Sequence, residues 1–292
     1  LIAYLIASRE AVTDIWRQQT MMSLGCVAAT VYVQWFLGAY RDSLLLRCLS
    51  HNVRWSRLHE LNAYQLALNS LPFRMGTVYK AKRLKSDHGV PYSELGSALL
   101  VQSVVVIAGG GVIASWVLLT HSFADGADAR WLGIACLAIS LALVGAVWIP
   151  FPSSPRLPVR VHRFIASLHA GLKTVRRSRA HFIGVFGLSI LCFLLQSLRL
   201  YVLLNSVDSG ISFSQSLVYA AMAQISMVLS ITPSALGIRE VLFGLVSRVT
   251  GQSLALGVVT AVFERVFVLL CASVVILVSV SHRFRARVAE LD

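Results

Sequence analysis

Ser230-Ile231-Thr232-Pro233-Ser234-Ala235-Leu236-Gly237-Ile238-Arg239-Glu240 interrupts an apolar stretch, with the run Leu217–Thr232 leading into it and Val241–Val246 following. Neither run reaches the roughly 20 apolar residues that a helix needs to cross a bilayer. A helix breaker, a glycine and an adjacent Arg-Glu pair at membrane depth are tolerated only where the backbone is buried in protein or lines a wet cavity. The same break occurs earlier, as Pro72-Phe73-Arg74-Met75-Gly76, and both read Pro-x-x-x-Gly. Two interrupted apolar segments at matching places in two halves point to the binding site of a transporter.

Working outward, the composition is that of an all-α polytopic membrane protein. Of 292 residues, 57% are hydrophobic and 13% charged, with a mean hydropathy of +0.72; soluble domains carry about 25% charged residues. The formal net charge is +13. The basic residues flank apolar spans, so they read as cytoplasmic loops facing an anionic lipid surface, and nucleic acid is not an expected partner. Cys26, Cys48, Cys136, Cys192 and Cys271 lack metal-ligand spacing and read as small apolar filler. No metal site and no cofactor are expected.

The chain divides into a first half (1–149), a Pro-rich linker with an amphipathic interfacial helix (150–180), and a second half (181–292), all one transmembrane domain. Leu1–Ala7 reads as the tail of a first helix. Thr20–Tyr40, Tyr92–Leu119, Trp131–Ile149, His181–Leu204 and Ser253–Ser281 read as spans, making about six spanning helices with the first truncated. Gly109-Gly110-Gly111 predicts close approach of a neighbouring helix. The segment 41–57 reads as a basic loop, and Lys80, Lys82, Arg83 and Lys85 as a lipid-facing basic surface. Arg199 reads as a side chain reaching the outer interface from its helix end.

Charge decides the topology. The segment 150–180 has seven Lys/Arg and no acid, so it belongs in the cytoplasm. If 58–88 or 213–250 crossed the membrane once, a basic block would fall outside. If both are re-entrant hairpins, every basic block and the C-terminus are cytoplasmic, and the hairpins enter from opposite sides. That arrangement is an inverted-topology repeat. The spacing agrees: Gly76 to Gln102 is 26 residues and Gly237 to Glu264 is 27.

At the breaks, half-helices beginning at Gly76 and Gly237 aim free N–H groups at the midplane, which suits an anion such as phosphate. Arg74 and Arg239 supply planar donor forks. Glu240 and Glu264 counter the Arg charges in an empty site, meet a cationic head group, or carry a proton; Arg239 with Glu240, or Glu264 and Arg265, could equally form structural ion pairs. Because Glu264 and Arg265 are adjacent on one helix, they point about 100° apart and need partners on different elements.

These residues resemble the transmembrane flippase-domain family typified by bacterial lysylphosphatidylglycerol synthases. Asn69, Pro72, Arg74 and Gly76 match its first-half pattern. Pro233, Gly237, Arg239, Glu240 and then Arg265 match the second, and Arg41 also falls at a family position. The departure is Gln102-Ser103, where many members have Glu-Arg. The resemblance implies translocation of a phospholipid or lipid-linked head group in the cytoplasmic (inner) membrane, with no enzymatic step. It also allows a homo-oligomer or association with a lipid-modifying enzyme. Other readings are an intramembrane enzyme acting on a lipid phosphate, an ion or small-solute transporter on the same scaffold, and a structural partner of a biosynthetic complex. No nucleophile–His pair, His-x-x-x-His or nucleotide loop supports the enzyme reading.

Overall fold

A computed structural model describes residues 20–69, 75–121, 126–148, 173–174, 179–206, 210–228 and 237–289. The described elements are all helical: α1 Met21–Cys48, α2 Trp55–Leu68, α3 Met75–His88, α4 Tyr92–Thr120, α5 Gly126–Trp148, α6 Arg179–Asn205, α7 Phe213–Val228, α8 Ile238–Val249 and α9 Leu254–Ala289. Among the described residues, five helices are long and apolar enough to cross a membrane: α1, α4, α5, α6 and α9. The expected truncated first helix, the linker helix and both Pro-containing tips, with Arg74, lie outside the described residues. Large apolar side chains such as Trp116, Ile183 and Leu277 are fully displayed on the outside, as suits a protein whose solvent is lipid. This is an integral membrane protein.

The short helices pair off. Each of α2 and α3 has 14 residues, or about 21 Å, short of the ~30 Å hydrocarbon core. They form an antiparallel hairpin. At its closed end, Asn69 Oδ1 accepts from Thr77 N at 3.1 Å and Gln65 Nε2 donates to Thr77 Oγ1 at 3.3 Å. At its open end, Arg57 Nη2 meets Asp87 Oδ2 at 2.9 Å. Gly76 is required here by close approach: a Cβ on it would run into the Gln65 carbonyl and come within 2.8 Å of Asn69 Oδ1. Helices α7 and α8 repeat the arrangement. Tyr219 Oη and Ser247 Oγ are 2.6 Å apart, and Gln215 Nε2 donates to the Thr250 carbonyl at 3.3 Å. The Tyr219 and Phe243 rings meet edge to face at 5.3 Å.

The long helices set the directions. Cys192 Sγ donates to the Gln34 carbonyl, Arg41 reaches Ser189, and Gly184 lies beside Leu44. The residue numbers on the two helices run in opposite senses, so α1 and α6 are antiparallel. The hairpin α2–α3 follows the end of α1, and α7–α8 follows the end of α6, so the hairpins open at opposite ends of the molecule. Each set reads long, short, short, long, and the sets exchange partners: α2 packs on α9, and α7 packs on α4. Helices α4 and α5 meet where Gly111 lies against Cys136 and Ser140, and Gly110 lies against the Phe193 ring of α6, the close approach expected of the glycine run.

Three expected boundaries move, one of them at the end of α9, which continues past the expected Ser281 to Ala289. Helix α1 does not stop at Tyr40 but continues to Cys48. The segment 41–48 is therefore helical, and Arg41, Asp42 and Ser43 are buried in it rather than set in a basic loop. The expected span Trp131–Ile149 begins earlier, at Gly126.

Candidate functional site

Two polar clusters lie inside this helical packing, one beside each hairpin. The second-half cluster starts at Gly237, whose φ of 87° turns the chain into α8; only glycine adopts that conformation without strain. Three residues on, Glu240 Oε2 accepts from Gly237 N at 2.7 Å, which satisfies one of the free donors of the helix end. Its Oε1 pairs with Arg265 Nη1 on α9 at 2.7 Å. Glu264, one residue before, points elsewhere. Its Oε1 takes Arg199 Nη2 at 2.6 Å and Nε at 3.1 Å, and its Oε2 pairs with Arg239. Arg199 Nη1 also donates to Gln34 Oε1 on α1 at 2.6 Å. Arg239 lies over the Phe243 ring, 5.2 Å from its centroid.

Glu264 and Arg265 take different partners, as their 100° separation requires, but not on wholly different elements: both reach α8, at Arg239 and Glu240, and Glu264 alone also reaches Arg199 on α6. The expected Arg239–Glu240 pair is replaced by crossed pairs between α8 and α9. Arg199 is corrected: it is 5% exposed and does not reach an interface. The carboxylate of Glu264 holds it inside the bundle, because an unpaired guanidinium there would be costly.

The first-half cluster joins α1, α2, α3 and α4. Lys80 Nζ pairs with Asp42 Oδ2 at 2.8 Å and donates to Asn62 Oδ1 at 2.6 Å. Asn62 Nδ2 donates to Asp42 Oδ2 at 3.3 Å. Arg41 Nη2 lies 3.7 Å from Asp42 Oδ1, and Nη1 donates to Ser189 at 3.4 Å. The Gln102 carboxamide is assigned the orientation that satisfies both neighbours, with its nitrogen 3.3 Å from Asp42 Oδ1 and its oxygen on Arg41 Nη2. A narrow crevice beside it is lined by Asp42, Lys80 and Gln102 together with leucines. Lys80 is thus corrected from surface to interior at 4% exposure. Lys82, Arg83 and Lys85 remain exposed.

The clusters share chemistry. In the second, three guanidinium groups face two carboxylates; in the first, Arg41 and Lys80 face Asp42. Each keeps one cation in excess among the described residues. Each also holds one buried guanidinium N–H without a partner, Arg41 Nε and Arg239 Nε. Arg41 lies seven positions after Gln34 on α1, so the clusters sit about 10 Å apart along that helix. Asn69 and Gly76 shape the turn end of the first hairpin rather than joining the cluster.

The lysylphosphatidylglycerol synthase TM region family matches residues 1–285. The chain belongs to that family. No curated protein and no solved structure matches it. This family is a membrane domain associated with lipid modification and flippase function, and the match spans both hairpins and both clusters of this lysylphosphatidylglycerol synthase TM region. Asp42, Asn62 and Gln34 are not marked as site residues by the sequence, and Lys80 reads there as surface. One signal was available for Lys80: Gly76, Lys80 and Leu84 recur every fourth residue and form the buried face of α3.

Proposed function

We propose that the protein is a translocase that moves a phospholipid or lipid-linked head group between leaflets, without altering it chemically. Its two hairpins are re-entrant and related as an inverted-topology repeat. The observation that carries this reading is the pair of buried, cation-rich clusters, one at each hairpin and offset in depth. A polar head crossing hydrocarbon unaided faces a prohibitive desolvation cost. Two polar stations at successive depths would lower it while the tails stay in lipid. The antiparallel α1 and α6 and the opposite openings of the hairpins support the inverted repeat. This topology also keeps the basic segments 47–57, 82–85, 150–180 and 283–287 on one side, taken as the cytoplasmic face of the inner membrane. The substrate residues are Arg41, Arg74, Arg239, Glu240, Glu264 and Arg265, with Asn69, Gly76 and Gly237 shaping the breaks.

The test is reconstitution in liposomes carrying a head-labelled phospholipid, with leaflet exchange followed by quenching of the outer-leaflet label and the lipid recovered for mass analysis. Exchange of unaltered lipid, lost in Arg239→Ala and kept in Lys82→Ala, is expected. Full exchange in Arg239→Ala refutes the site, and a chemically changed head group favours the enzyme reading.

A further inference from the structure

We propose that the cargo head carries a single net negative charge, a phosphodiester received between Arg41 and Lys80, and that Gln102 sets this preference. The inference rests on the translocase reading and names its substrate class.

Charge carries the first step. The Arg41 cluster is buried between four helices, and its single carboxylate, Asp42, is shared by two cations at 2.8 and 3.7 Å. A surplus charge in that setting is costly unless a partner of opposite sign visits it. One monoanion neutralises the cluster. A dianion would leave a negative excess, and a cationic head would meet its own sign.

Geometry carries the second. Arg41 is 8% exposed, and its Nε is buried without an acceptor; buried donors are otherwise almost always satisfied. A phosphate oxygen is the acceptor that a guanidinium fork fits best. The narrow crevice beside Asp42, Lys80 and Gln102 is otherwise lined by apolar side chains, Leu45, Leu84, Leu95 and Leu99 among them, an environment that suits a head group borne on an apolar stem better than a free ion.

Both clusters carry one excess cation among the described residues, but they differ at one matching place on the long helix that follows each hairpin. Glu264 lies ten residues after Leu254, the start of α9, and Gln102 lies ten residues after Tyr92, the start of α4. Both face the buried arginine of the preceding long helix, Arg199 or Arg41. Glu264 brings a charge to that place, whereas Gln102 brings a neutral amide to Arg41 and Asp42. A carboxylate at 102 would cancel the excess cation.

The experiment titrates the full chain, purified in detergent, with phosphatidylglycerol, phosphatidylcholine, lysyl-phosphatidylglycerol and the soluble phosphodiester glycerophosphoglycerol, reading bound lipid by native mass spectrometry and thermal shift. Phosphatidylglycerol should bind at least about tenfold more tightly than the other three. Gln102→Glu should erase that preference without lowering the unliganded melting temperature. Asp42→Asn, the second variant, should shift the preference towards dianionic phosphatidic acid. Equal or tighter binding of the zwitterionic or cationic lipid overturns the proposal. So does an undiminished phosphatidylglycerol preference in Gln102→Glu. Glycerophosphoglycerol binding as tightly as the lipid would assign the site to a free phosphodiester and overturn it too. Leaflet exchange separates the two readings. Exchange of the cationic lipid but not phosphatidylglycerol sinks the charge assignment and leaves the translocase standing. Selective, Gln102-dependent binding with no exchange of any lipid keeps the anion site and sinks translocation.

Discussion

Replacing Glu264 by Gln tests whether the buried ion pairs hold the fold together. Glu264 is 1% exposed, and its two oxygens serve two arginines from two other helices, Arg199 on α6 and Arg239 on α8. The substitution keeps the shape and one acceptor oxygen but removes the charge. Two buried guanidinium groups then lose their counter-ion at once. Breaking a buried pair from one side costs about 3–5 kcal/mol. The retained amide oxygen still accepts from one arginine, which places the loss near the lower end, about 3 kcal/mol. For a chain of this size that corresponds to a fall in melting temperature of roughly 6–12 °C. Thermal unfolding in detergent micelles, followed by tryptophan fluorescence, reads it. The cycle with Arg239→Gln is more discriminating: once Glu264 is neutral, removing one stranded cation should restore part of the loss, so the double variant is more stable than the sum predicts. A melting temperature unchanged in Glu264→Gln, or strict additivity in the double variant, would refute the view that these charges depend on each other.

The remaining predictions concern the hairpins. Gly76→Ala should cost about 1–3 kcal/mol by overpacking, because its Cβ meets the Gln65 carbonyl and Asn69; unchanged thermal stability would contradict the tight turn. Single cysteines at Lys85 and Arg287 should react with a membrane-impermeant reagent from the cytoplasm, and those at Asp128 and Ser212 from outside. Outside labelling at 287 would sink the second re-entrant hairpin. The Ser86 hydroxyl and then Arg57 hold the Asp87 carboxyl below its usual 3.8. A depressed carboxyl contributes stability above its unfolded pKa and loses it as pH falls through the folded one. Protection factors for hydrogen exchange in the first turn of α2, corrected for intrinsic exchange at each pH, should therefore fall below about pH 4, and Asp87→Asn should show the lower protection already at neutral pH; pH-independent protection in the natural chain would count against the Arg57–Asp87 latch.

The sequence by itself determined the elements that depend on local pattern. Long apolar runs gave α4 and α6 to within two residues and the start of α9 to within one, since length and hydropathy are local properties. The Pro-x-x-x-Gly breaks fall at the junction between the two short helices of each pair, and the 100° step of a helix was enough to send Glu264 and Arg265 to different partners. The tertiary structure decided which charges are inside. Arg41 and Asp42 follow a 20-residue apolar run and look like the start of a loop, yet α1 continues through them because α2, α3, α4 and α6 supply polar partners there. Lys80 sits among Lys82, Arg83 and Lys85, and only the packing of α3 against α2 turns it towards Asp42. Arg199 stands close enough to its helix end to reach water, but Glu264, 65 residues later, draws it inward. A charged side chain reports its cost of burial in the sequence; the partner that offsets this cost is supplied by a distant helix, and only folding brings the two together.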